Sequence, residues 1–235
     1  MVKPIGGAIV AMLLLLTACS WARAAGTRML PADPGAEVVY VALGDSTVEG
    51  VGASTARNNY VGQLDARLRD RYARTRTVNL GVAGATSLDV LDAQVARAIA
   101  LTPHLVTLSI GPNDITARVP RATYARNLDT ILARLAGETP AVIVVNLLPD
   151  LAITPRFRNR DSAPLVGRLS VEFNGVVART ARRHGALVVD LYRASRREVP
   201  AHPELLAADG YHPSDLGYAR WAELMWEAVR TRIGS

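Results

Sequence analysis

Cysteine is almost missing from this chain. Cys19 is the only one, so no intrachain disulfide can form and the fold must stand on its core. Lysine is equally scarce, with Lys3 alone, and the formal charge of +6 is carried by arginine. Arginines gather at Arg67, Arg69, Arg71, Arg74 and Arg76, and again at Arg156, Arg158 and Arg160. No nucleic-acid-binding motif accompanies them, so they read as solvated faces and helix ends, with no nucleic-acid partner. Aromatic residues make up 5% of the 235, which leaves Leu, Val, Ile and Ala to supply most of the buried area. No G-x-G-x-x-G or other phosphate loop follows any strand candidate, which excludes a nucleotide-binding sheet. No His/Asp/Glu set has metal-ligand spacing. Repeats, low-complexity tracts and signs of a second domain are absent as well. A long apolar run is also lacking: the stretch from Ile5 to Leu16, interrupted by Gly6 and Gly7, is too short to cross a bilayer.

Behind Lys3, that short run reads as a signal peptide over residues 1–25, and export is the expectation. Two cleavage patterns compete. Leu16-Thr17-Ala18-Cys19 resembles a bacterial lipobox, with Cys19 lipidated and the product a membrane-anchored lipoprotein. Ala22-Arg23-Ala24 fits ordinary cleavage and a periplasmic or secreted product. Residues 26–36, with Gly26, Pro31, Pro34 and Gly35, read as a tether, and residues 37–235 as the folded domain.

Within that domain, short β-rich runs alternate with helical periodicity. The strand candidates are Val38–Leu43, Thr77–Leu80, Leu105–Ile110, Ala141–Leu147 and Leu187–Leu191, near-continuous apolar runs of the kind buried on both faces of a parallel sheet. Between them, Val61, Leu64, Leu68 and Tyr72 share one helical face. Leu88, Leu91, Val95 and Ile99 share another, behind Ser87 as N-cap. Tyr124, Leu128, Ile131 and Leu135 form a third face, ended by Gly137. A fourth helix carries Leu169, Phe173, Val176 and Val177 and closes near Gly185. The last starts at about Ser214 with Leu216, Trp221, Leu224, Met225 and Val229. This alternation predicts an α/β fold, a three-layer α/β/α sandwich around a five-stranded parallel sheet. Ligands bind such sheets outside the carboxyl ends of the strands.

Four loops at those ends carry polar residues. The first strand runs into Gly44-Asp45-Ser46, which projects a serine hydroxyl above the sheet, though a turn or cap serine has the same local sequence. The second leads into Gly81-Val82-Ala83-Gly84-Ala85, where glycines permit a tight turn with a free N–H. The third ends in Gly111-Pro112-Asn113-Asp114, where Asn113 is an amide donor or a plain turn residue. Before the last helix comes Asp209-Gly210-Tyr211-His212. That spacing lets Asp209 bond one ring nitrogen of His212 and leaves the other free to take a proton; a capping Asp beside a surface His reads equally well. Other histidines are weaker candidates. His184 precedes Gly185 as a helix C-cap, His104 faces solvent beside Pro103, and His202 lacks a matching Asp.

Together the four blocks resemble the GDSL, or SGNH, hydrolase family, and the likeness runs from about Val38 to Val229. The resemblance implies the flavodoxin-like SGNH hydrolase fold and a serine esterase working through an acyl-enzyme. Ser46 would be nucleophile, His212 base and Asp209 its orienting carboxylate; Ser46, Gly84 and Asn113 would form the oxyanion hole. No metal or organic cofactor is implied. The substrate would be a small-molecule ester, an acyl lipid or an acetylated glycan, with lysophospholipase, thioesterase and carbohydrate O-acetyl esterase activities all within the family. A catalytically silent lipid- or glycan-binding lipoprotein is the alternative outside enzymes. Two departures stand out: Thr47 replaces the leucine of the family name, expected to alter packing only, and Ala85 stands where many relatives carry Asp. The loop from Leu147 to Arg160 is expected to wall the pocket.

Overall fold

The computed structural model describes residues 27–234. The signal-peptide reading, both cleavage patterns and Cys19 lie outside the described residues. From there the chain runs β1 (Glu37–Gly44), α1 (Ser46–Glu49), α2 (Tyr60–Arg71), β2 (Arg74–Asn79), α3 (Ser87–Asp89), a π-turn (Val90–Gln94) and α4 (Val95–Ala100). It continues through β3 (Leu105–Ser109), α5 (Pro112–Thr116), α6 (Arg121–Glu138), β4 (Val142–Asn146), α7 (Ala163–Arg183), β5 (Leu187–Val189), α8 (Leu191–Glu198) and α9 (Asp215–Arg230).

All five strands are parallel, in the order β2-β1-β3-β4-β5, and helices cover both faces. Successive side chains on a strand point to opposite faces, so each strand feeds two cores. Val39, Val41 and Leu43 pack with residues of α6 and α7, whereas Val38, Tyr40 and Ala42 pack with residues of α2 and α9. The apolar-run rule fits the central strands β1, β3 and β4. β2 breaks it: this edge strand begins earlier than expected, at Arg74, and reads Arg-Thr-Arg-Thr-Val-Asn. Charged side chains suit an edge, where they discourage pairing with another chain.

Several helical expectations shift. The N-cap of α3 is Thr86, in a capping box with Asp89, and Ser87 lies inside the helix, fully buried. The π-turn then advances the phase, so Val90, Gln94, Val95 and Ala98 face inward while Leu88 is exposed. Gly137 does not end its helix; α6 runs past it to Glu138 and stops before Pro140. Leu216 is exposed on the first turn of α9, capped by Ser214. The tether expected over residues 26–36 is, from residue 27 on, part of the folded body. Leu30 is buried and donates its N–H to Arg232 O at 2.6 Å, and Arg28 reaches Ala141 O at 3.0 Å.

Although aromatics are few, five tyrosines are among the largest fully buried side chains: Tyr40, Tyr60, Tyr72, Tyr124 and Tyr218. Buried phenols are usually hydrogen-bonded; Tyr60 OH has no partner among the described residues, whereas those of Tyr124 and Tyr218 brace the loops above the sheet by donating to Ile110 O at 3.1 Å and Val51 O at 2.8 Å.

Candidate active site

β1 ends at Gly44, where the chain passes so close to β3 that a Cβ would lie 2.0 Å from Ser109 O. Only glycine fits, and its φ of 146° is one that side chains rarely adopt. Gln94, delivered by the π-turn, clasps this residue from both sides. Its Oε1 accepts Gly44 N–H at 2.8 Å and its Nε2 donates to Gly44 O at 2.9 Å. Asp45 follows as the N-cap of α1, which places Ser46 at the first helical position. Thr47 donates to Asp45 Oδ1 through both its N–H at 2.9 Å and its hydroxyl at 2.8 Å. The residue that replaces leucine therefore makes a polar contact that leucine cannot make. Asp45 is 1% exposed, and burial pushes its carboxyl up to about 6 against the pull of those Thr47 bonds.

Across the sheet, the loop before α9 brings Asp209 and His212 to the same point. Asp209 Oδ1 accepts the N–H groups of Tyr211 and His212, both at 2.9 Å, which closes the turn and fixes the carboxylate. Its Oδ2 lies 2.5 Å from His212 Nδ1, and His212 Nε2 lies 2.9 Å from Ser46 Oγ. Burial raises the Asp209 pKa, but the bonds from His212 and Tyr211 outweigh it, and the net shift is downward. An ionised carboxylate only accepts, so Nδ1 carries the proton and Nε2 is left to accept from the Ser46 hydroxyl. The Tyr211 ring meets the imidazole edge to face at 5.0 Å, and the Arg156 guanidinium lies over Tyr211 at 5.0 Å.

The donor side is assembled on α1, α3 and α5. Gly84 has φ 83°, and the loop around it is tied to α1 because Ala83 N–H donates to the Glu49 carboxylate. Among the described residues, the N–H groups of Ser46 and Gly84 find no protein acceptor. Asn113 Nδ2 gives one hydrogen to Ala85 O at 2.9 Å and retains a second. Beneath it, buried Asp114 accepts Ser87 N–H at 2.9 Å and Ser87 Oγ–H at 2.6 Å, which locks α5 to α3. Burial raises the Asp114 pKa. Sequence reasoning missed Asp45, Glu49, Gln94 and Asp114, all of which act by holding loops; only Asp45 and Asp114, adjacent to Ser46 and Asn113, lay where a sequence signal pointed.

The remaining histidines stand apart. His184 caps α7 and contacts Asp129 at 2.8 Å. His202 is exposed and pairs with Glu204 at 3.1 Å. His104 does not simply face solvent: its Nδ1 accepts Val39 N–H at 3.1 Å. Among the described residues, no group of three or more His, Cys, Asp or Glu side chains is placed to hold a metal. A cavity of about 100 Å³ opens beside Ser46 and His212, between the ends of β3 and β4 and the helices α8 and α9. Leu148 to Leu151 and Thr154 wall it as expected of that loop, whereas Arg156, Arg158 and Arg160 do not line it.

Comparison with known proteins agrees with this geometry. A GDSL-like esterase of Mycobacterium tuberculosis is 31% identical over 203 residues, spanning 84% of this chain and 63% of that relative's length. The chain thus covers less than two thirds of that protein. Among solved structures, LAE5, an alpha/beta hydrolase enzyme from the metagenome of Lake Arreo, Spain, superposes with a TM-score of 0.68 at 26% identity, covering 83% of this chain and 96% of its own. Axe2, an acetylxylan esterase from Geobacillus stearothermophilus, shares the fold with a TM-score of 0.68 at 21% identity, covering 83% and 95%. The GDSL-like Lipase/Acylhydrolase family model matches residues 42–220. That match runs from the end of β1 into α9, across Ser46, Gly84, Asn113, Asp209 and His212 alike, and the chain belongs to the GDSL-like lipase/acylhydrolase family.

Proposed function

We propose that this protein hydrolyses carboxylic esters through an acyl-enzyme on Ser46. The observation that carries the reading is the unbroken relay from Ser46 Oγ to His212 Nε2 at 2.9 Å and from His212 Nδ1 to Asp209 Oδ2 at 2.5 Å. Ser46 Oγ attacks the ester carbonyl carbon while Nε2 takes its proton. Negative charge develops on the carbonyl oxygen, and the free N–H groups of Ser46 and Gly84 and the second Asn113 N–H receive it. Loss of one such donor typically removes about 2.7–4 kcal/mol of transition-state stabilisation. Collapse expels the alcohol, which takes the proton from Nε2. A water then repeats the sequence, and the released acid leaves Ser46 with its proton restored. Asp209 stays ionised throughout and stabilises the imidazolium.

The cavity favours an acyl chain over acetate. Its volume of about 100 Å³ is several times the space of about 10–15 Å³ that one water requires, more than a methyl group fills. Acetylated glycans, the substrate class named for Axe2, remain the second reading on fold alone. The test is hydrolysis of p-nitrophenyl esters from acetate to palmitate. Ser46→Ala and His212→Ala should each remove nearly all turnover while circular dichroism stays native. Appreciable turnover by either folded variant would overturn the assignment.

We also propose export with lipidation at Cys19, supported by the short apolar run Ile5 to Leu16 and by Leu16-Thr17-Ala18 before the chain's only cysteine. In a bacterial host, Cys19→Ser should move the protein from the membrane fraction to the soluble one. Identical fractionation of both forms would sink this reading.

A further inference from the structure

The loop from β2 to α3 uses almost every N–H it has. Gly81 donates to Asn79 Oδ1 at 2.9 Å and Val82 to Gly44 O at 3.1 Å. Ala83 donates to the Glu49 carboxylate, and Ala85 to Val82 O at 3.1 Å. Thr86 donates to Asp89 Oδ2 at 2.8 Å and Ser87 to Asp114 Oδ2 at 2.9 Å. Gly84 alone in this run finds no acceptor among the described residues, and its N–H is the one assigned to the oxyanion. The bond from Ala85 back to Val82 closes a β-turn in which φ is positive at Gly84, 83°, and not at Ala83. A positive φ at the third position alone is the signature of a type II turn. The second residue of such a turn has ψ of about +120°, where type I has about −30°, which turns the third residue's N–H away from the second's. Ala83 can therefore be tied to Glu49 while the Gly84 N–H stays free.

One end of this turn is anchored to α5, because Ala85 O accepts from Asn113 Nδ2 at 2.9 Å. The Ala83 end is anchored to α1. A Cβ on Gly81 would lie 2.5 Å from Glu49 N, so the loop rests on the backbone of the one-turn helix that begins with Ser46. Glu49 ends that helix and is exposed, yet its carboxylate is committed to a backbone N–H of the neighbouring loop. The N–H groups of Ser46 and Gly84 come from separate segments and must converge on one oxygen, each at roughly 2.7–3.1 Å, to share its charge. We infer that Glu49 is a positioning residue, which fixes the Gly84 N–H relative to Ser46 by holding Ala83 against α1. The inference rests on the esterase reading and adds to it a residue that acts without touching substrate.

The experiment measures kcat and KM on p-nitrophenyl butyrate for Glu49→Ala, Glu49→Gln, Gly84→Ala and the double variant Glu49→Ala with Gly84→Ala, with folding checked by circular dichroism. A Cβ at Gly84 meets no atom within 4 Å, so Gly84→Ala fits the space. Its cost is the positive φ, which drives the turn toward type I and swings the N–H out of place. That variant should lose about 10²–10³-fold in kcat. An oxyanion donor acts in the transition state, so Glu49→Ala should lower kcat about tenfold and leave KM within about twofold. Glu49→Gln keeps an oxygen that accepts the Ala83 N–H and should retain at least about a third of the wild-type kcat. In the Gly84→Ala background the donor is already lost, and adding Glu49→Ala should change kcat by less than about twofold. Wild-type kcat in Glu49→Ala overturns the inference, as does a loss that glutamine fails to restore. A tenfold loss repeated in the Gly84→Ala background also overturns it, because Glu49 would then act independently of that N–H. Each of these results leaves the esterase standing. If folded wild-type protein cleaves no p-nitrophenyl ester, the esterase reading itself fails and the positioning role falls with it.

Discussion

Asp45 and Ser46 are neighbours with opposite environments. The hydroxyl of Ser46 faces His212, while the carboxyl of Asp45 turns into the protein and ends 1% exposed. Burial raises Asp45 from 3.8 to about 6, so the unfolded chain releases this proton before the folded one does. Below about pH 3.8 both states hold the proton and the group has no effect. Between that value and about 6 stability declines, and above it the deficit is constant at about 3 kcal/mol. Asp209 runs the other way: its lowered pKa contributes stability above the unfolded value, lost as pH falls through the folded one. Asp45→Asn keeps an acceptor for Thr47 but cannot ionise. Its urea midpoint relative to wild type should therefore be higher at pH 8 than at pH 4, and equal differences at the two values would contradict a costly buried charge. At this scale the candidate residues were legible, because a serine and an asparagine each follow the end of a strand and an Asp-x-x-His pair precedes the last helix. The orienting role of Asp45 was not, since nothing in Gly-Asp-Ser says which side chain turns inward.

The element that most departs from expectation is the run from α3 through the π-turn to α4. A spacing of 3.6 residues puts Leu88, Leu91, Val95 and Ile99 on one stripe, and the extra residue of the π-turn rotates the second half away from it. That rotation carries Gln94 beneath the nucleophile loop, where it bonds both backbone groups of Gly44. Polar Gln94 at 2% exposure breaks the apolar pattern, so periodicity alone could not place it. Gln94→Leu fills similar volume but leaves Gly44 N–H unpaired, while Gly44 O keeps the Val82 N–H at 3.1 Å. It should cost about 1–3 kcal/mol in urea unfolding, and turnover should fall with it because Gly44 leads directly into Ser46. A neutral effect on both would mean that water replaces the amide. α9 was read more faithfully: Ser214 caps it, and Trp221, Met225 and Val229 are buried at regular helical spacing.

At the level of the whole molecule, the parallel sheet was readable because β1, β3 and β4 are mostly apolar runs buried on both faces. Strand order and the polar edge of β2 depend on contacts between distant segments and leave no local pattern. The segment read as a tether escaped for the same reason: Met29 and Leu30 stand just ahead of Pro31, Pro34 and Gly35, and the partner of Leu30, Ile233, is about two hundred residues away. This pairing ties the two ends of the described chain together, so Leu30→Ala should lower stability by about 2–5 kcal/mol, read from the thermal or urea transition. No loss would mean that the clasp is ornamental to the fold. The position of the clasp also sets where the N-terminal arm leaves the fold. α9 begins beside His212 and ends at Arg230, next to Leu30, so its 16 residues separate the reacting groups from the point where the N-terminal arm departs. At 1.5 Å per residue that is about 24 Å. On the lipoprotein reading, eight residues link Cys19 to Thr27, where the folded body begins, a span of at most about 29 Å. An anchor on that arm would then pull on the molecule from the end of α9 opposite the mouth, so that holding the protein at a surface need not cover Ser46 and His212.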